Sequence, residues 1–165
     1  MCARHRFIST LVLLLALGGQ VTAADKRIPF QAADSGRFFV NPTGDKDVVL
    51  TQDFANGQSL PLLGNYNLVA HELVNLTTFE ITGGAYTITA ENGDTIRGGY
   101  SGTAVATQTD GVITYLVTGP ITRGTGRFAG AAGTLTFNGV ADLRTGVLSE
   151  IVTGEVSLRG SRGER

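Results

Sequence analysis

Two glutamates stand out for where their neighbours put them. In YNLVAHELV, alternate positions group Glu72 with Tyr66, Leu68, Ala70 and Val74; in VLSEIVTGEV they group Glu150 with Leu148, Val152 and Val156. A carboxyl among apolar side chains loses hydration, holds its proton to higher pH, and can serve as a general acid/base or orient the polar end of a ligand. Glu72 and Glu150 are therefore the candidate catalytic residues. Tyr66, Tyr86 and Tyr100, which share apolar parities, are the candidate ligand contacts. Two placements are open for the glutamates. They either face a cavity, or stand near strand ends and reach water at the rims, as charged residues usually do. For the tyrosines, too, core packing is the more ordinary role.

Other chemistry is excluded more simply. His71 has the opposite parity to Glu72, and HELVN lacks the second histidine and the helix of a zinc-protease motif. The passage RGTGRFAGAAG, Arg123 to Gly133, approximates a dinucleotide loop. The segment after it, TLTFNGVADL, alternates as a strand, so no helix N-terminus receives a phosphate there. No lysine followed by Ser or Thr completes a P-loop either. The glycines then shape a strand–loop–strand passage, with Phe128 as an apolar plug. No cofactor or metal motif is present in the sequence.

The elements that must position these residues begin after the first 23. Met1–Arg6 is basic, Phe7–Leu17 is apolar but shorter than the roughly 20 residues of a membrane span, and Val21-Thr22-Ala23 fits a cleavage site. Residues 1–23 read as a signal peptide and 24–160 as one domain; the charged, Gly-rich 161–165 reads as a disordered tail. The expected location is secreted or periplasmic, with no integral membrane segment after cleavage. Cleavage removes Cys2 and His5, which leaves no thiol and a single histidine. It also removes two arginines and no acid, taking the net charge from −1 to −3. That balance, without a basic stripe, argues against nucleic acid as a partner.

Short runs rich in Val, Ile, Thr, Tyr and Phe alternate with turn signals, which predicts an all-β domain. The expected strands are 28–33, 36–41, 47–54, 63–74, 78–82, 84–91, 94–107, 112–122, 133–143 and 147–158, with short pieces merging to about eight. Turns are expected at Asn56-Gly57, Asn92-Gly93-Asp94, Asp110-Gly111 and Thr145-Gly146. Gly98-Gly99 is the place where a bulge would shift parity.

The passage GPITRGTGRFAGAAGTLTFNGVADL also resembles the G-G-T-G-R-F-A-G-A-T-G signature of small secreted bacterial proteins with an allene oxide cyclase-like barrel, distantly similar to plant allene oxide cyclases and dirigent proteins. GNYNLVAHE, ENGDTIRGGYSGT and the final strand fit the same layout. Arg123 and Ala132 depart from the signature's first Gly and its Thr, and the likeness is weaker over 27–60. The resemblance implies a single antiparallel, calycin-type β-barrel of about eight strands, an apolar interior, and homo-oligomers, often trimers. Three functions follow: binding of a small apolar molecule, a cofactor-independent cyclase or isomerase, and a structural barrel with a filled interior.

Overall fold

The computed structural model describes residues 26–59 and 62–158. The expected signal peptide and tail lie outside the described residues. Eight strands, β1 (Lys26–Pro42), β2 (Val48–Ser59), β3 (Gly64–Asn75), β4 (Glu80–Ala90), β5 (Thr95–Ala106), β6 (Val112–Gly124), β7 (Ala132–Asp142) and β8 (Val147–Leu158), follow one another as an antiparallel meander. β1 pairs with both β2 and β8, so the sheet closes into a barrel without a free edge. Among the described residues no helix is long and apolar enough to cross a membrane.

Closure depends on β1 running unbroken through Asp34-Ser35, where 28–33 and 36–41 are expected as separate pieces. Gly36 explains the difference. A Cβ there would lie 1.9 Å from the Phe54 carbonyl oxygen, so only glycine lets β1 bend against β2 while remaining paired. Asn56-Gly57 is likewise no turn: both residues lie within β2, opposite Ser35 and Asp34. The turns at Gly93, Gly111 and Gly146 form as expected, each glycine at positive φ. Segments 78–82 and 84–91 merge into β4, with a register shift spanning Gly83, whose φ is +60°. Near Gly98 the register shift adds Thr122 to β6 and leaves the parity of β5 intact from Ile96 to Ala104. Ala106, grouped with the inward residues by parity, is exposed at the end of β5.

The interior is packed unevenly. At the end formed by the β2–β3, β4–β5 and β6–β7 connections, Leu62, Leu63, Ile96, Leu135 and Val156 fill the bore. A single 3-10 turn, Gly126–Phe128, drops Phe128 into this end with no exposed surface. The glycine-rich passage therefore makes a plug. Gly126 and Gly130 adopt positive φ, and Arg127 lies 4.8 Å from the centre of the Phe128 ring. Toward the opposite end the bore is hollow.

Candidate functional site

The hollow half is a cavity of about 310 Å³. Its rim reaches solvent, since the lining residues Val40, Leu76 and Leu143 are each about half exposed. Phe79 stands at this mouth with φ +58°, a left-handed conformation that is costly for a bulky side chain. The wall is apolar except for Thr51, Asp53, Glu72, Tyr100, Tyr115 and Glu150.

One device places these polar groups. Each of the chain's four tyrosines lies across a glycine on the neighbouring strand and donates to an acceptor on the strand beyond. From β3, Tyr66 passes over Gly57 of β2, where a Cβ would sit 2.6 Å from its hydroxyl, and donates to Asp34 Oδ2 of β1 at 2.7 Å. From β6, Tyr115 passes over Gly139 of β7 and donates to Glu150 Oε2 of β8 at 2.8 Å. From β5, Tyr100 covers Gly84 of β4 and donates to Glu72 Oε2 of β3, whose other oxygen accepts from Thr51. From β4, Tyr86 covers Gly98 of β5 and reaches the Pro120 carbonyl of β6 at 3.5 Å. Glycine gives the ring room on the pleat, and the ring covers the backbone that glycine leaves bare. Tyr86, Tyr100 and Phe137 then pack together, with ring centres 5.2 to 6.3 Å apart.

The titratable groups facing the interior are Asp34 from β1, Asp53 from β2, Tyr66 and Glu72 from β3, and Tyr86, Tyr100, Tyr115 and Glu150 from β4, β5, β6 and β8. Burial, reinforced by the charge of Glu72, pushes the Asp53 carboxyl up to about 8. Burial, with the charge of Asp34 next, pushes Glu150 up to about 9. Asp34 is raised by burial, and burial drives all four phenols above their ordinary range. Asp34 and Glu150 are cross-strand partners, and Asp34 Oδ1 is buried with no donor of its own. A proton retained by Glu150 supplies that donor. The interior thus holds neutral carboxylic acids at neutral pH beside buried acceptors. Such acids can donate a hydrogen bond or a proton, and can take up negative charge when a cation approaches.

Parity places the predicted residues correctly, but the rim expectation for the acids fails. Glu72 and Glu150 are only 8% and 7% exposed and point into the barrel. The hydroxyl partners of both and the proton on Glu150 lower the cost of burying them. Of the tyrosines, Tyr100 lines the cavity; Tyr66 and Tyr86 are buried but lie outside its wall. His71 points outward. Asp34, Asp53 and Tyr115 were not anticipated. Asp53 shares parity with Val49 and Thr51, and Tyr115 with Ile113 and Val117, but the opposite parity is also apolar on both strands, so alternation alone does not place them. Among the described residues no group of three or more His, Cys, Asp or Glu side chains is arranged to hold a metal ion.

Fold and site together define a closed eight-stranded antiparallel barrel, plugged at one end and hollow at the other, with an acid–tyrosine network in its wall. No protein-family model matches the chain, and comparison with curated proteins found no match.

Proposed function

We propose that the protein binds one small, largely apolar molecule in the hollow half of the barrel. The observation that carries this reading is the cavity itself: about 310 Å³, open at one end, with apolar walls and a few convergent polar groups. Taking roughly 30 Å³ per water, it holds about ten water volumes, which suits a ligand of about ten non-hydrogen atoms. The same cavity speaks against a purely structural barrel with a filled interior. Native mass spectrometry of the purified protein tests the reading, with a bound mass lost on denaturation as the expected result. Failure both to carry such a mass and to take up any small apolar probe refutes it.

A cofactor-independent cyclase or isomerase is the second reading. It is favoured by Asp53 and Glu150, whose carboxyls keep protons near neutral pH in an apolar cavity. The allene oxide cyclase-like resemblance of the motifs GPITRGTGRFAGAAG and ENGDTIRGGYSGT supports it as well. Turnover of a small epoxide or enone that disappears in Glu150→Gln would favour it over simple binding. Export and self-association belong to the same proposal. Exposed outward-facing Phe39, Phe54 and Val69 on adjacent strands support an oligomer, which light scattering tests. N-terminal sequencing of the exported protein tests cleavage after Ala23 or Ala24.

A further inference from the structure

The chemistry of the cavity wall narrows the ligand class. We propose that the cavity receives an organic cation, a small apolar molecule carrying one ammonium group, whose nitrogen docks among Asp53, Glu72 and Glu150. This rests on the reading that the cavity binds a small apolar molecule, and adds the charge that molecule carries.

Four observations converge on it. The cavity wall carries three carboxyls and no lysine, arginine or histidine. Its hydroxyl donors are already committed: Thr51 and Tyr100 to Glu72, and Tyr115 to Glu150. Apart from the protons held by its own carboxyls, the wall has no donor left to offer a ligand. Among the described residues no hydroxyl or N–H group donates a hydrogen bond to Asp53. Finally, the wall presents the rings of Phe38, Phe79, Tyr100, Tyr115 and Phe137, whose faces attract cations. An ammonium supplies N–H donors and positive charge together. A ligand carboxylate or phosphate would bring a further acidic group among three carboxyls with no cationic side chain to balance it.

Binding then displaces a proton. The groups facing Asp53 are Glu72 from β3, Tyr100 from β5, Tyr115 from β6 and Glu150 from β8, with Asp34 of β1 behind Glu150; β4 and β7 present apolar side chains there. When the ammonium enters, the carboxyl of Asp53 releases its proton to solvent and the ammonium keeps its own; no covalent bond changes elsewhere. Asp53 holds its proton up to about pH 8 in the empty cavity, so affinity rises with pH below that point, by close to tenfold per unit if one proton is released.

Isothermal titration calorimetry with three probes of similar size, 3-phenylpropylamine, 3-phenylpropanol and 3-phenylpropanoate, tests this. At pH 8 the amine is expected to bind at least about tenfold more tightly than the alcohol, with the propanoate weakest. The amine–alcohol gap should narrow at pH 6. Heats in buffers of different ionisation enthalpy should show proton release on binding the amine alone. Asp53→Asn should bring amine and alcohol to within about threefold of each other while the alcohol still binds. An alcohol that binds as tightly as the amine overturns the cation proposal but leaves the binding reading intact, as does an amine preference insensitive to pH and to Asp53→Asn. Failure of all three probes at millimolar concentration overturns both.

Discussion

Raising the pH across the neutral range should destabilise this protein, although most domains are near their most stable there. Asp53 and Glu150 hold protons in the folded barrel up to about 8 and 9, whereas in the unfolded chain they ionise near 3.8 and 4.5. Between those limits the folded state binds more protons than the unfolded one, so stability falls as pH rises. The contribution is fully present below the unfolded values and is lost as pH climbs through the folded ones. Each such group gives a slope of about 1.4 kcal/mol per pH unit. One group alone, taken from pH 5.5 to 7.5, removes about 2.7 kcal/mol, and both acting fully would remove about twice that. At about 3 °C per kcal/mol, the single-group figure is a fall in Tm of roughly 8 °C. Asp142, held low by its hydrogen bonds to Arg144, works in the opposite sense, but only below the ordinary carboxylate range. Thermal melting by circular dichroism at half-unit pH steps measures the trend. Glu150→Gln should melt higher than the parent at pH 7.5, with a shallower pH dependence. A Tm that is flat or rises between pH 5.5 and 7.5 would refute the claim that these acids are buried and protonated.

Gly139→Ala sets a Cβ about 2.2 Å from Tyr115 Cζ and should cost about 2 to 4 kcal/mol in urea unfolding, through overpacking and the lost bond to Glu150. Gly57→Ala should couple with Tyr66→Leu: the double variant loses less than the sum of the singles, because without the ring the added methyl has space. Phe128→Ala should cost about 3 to 5 kcal/mol, and a loss under 1 kcal/mol would show that this turn does not plug the barrel. Gly126→Ala and Gly130→Ala should each cost about 1 kcal/mol or more because of their positive φ, and saturable binding of a dinucleotide to the parent would contradict the structural reading of this passage.

The strands and the inward faces were legible because barrel strands alternate. Glu72, Glu150 and the tyrosines at 66, 86 and 100 fall inside as parity requires. Three kinds of information were hidden. Asp34 lies in Asp-Ser-Gly and Gly57 in Asn-Gly, both of which carry turn chemistry; here the glycines serve a close backbone approach and a tyrosine ring, uses that composition does not distinguish. Asp53 and Tyr115 sit on strands with apolar residues on both faces, such as Leu50 and Phe54 or Val112 and Leu116, so inside and outside look alike. The burial of the acids depends on partners from distant segments. Glu150 meets Asp34 only because the last strand closes on the first.

That closure also fixes where the chain enters and leaves. Lys26 pairs with Leu158, beside the plug and opposite the mouth. Anything joined to either end of the barrel therefore hangs from its blind end. A molecule immobilised on a surface or fused to a second domain through either terminus keeps its opening turned outward, so ligand uptake should be indifferent to which end carries the attachment. The loops at 43–47, 76–79, 107–111 and 143–146 edge that opening, and each can change length without shifting the acid–tyrosine network held on the strands. The barrel thus separates its points of attachment, its acid–tyrosine network and its opening into three layers along one axis.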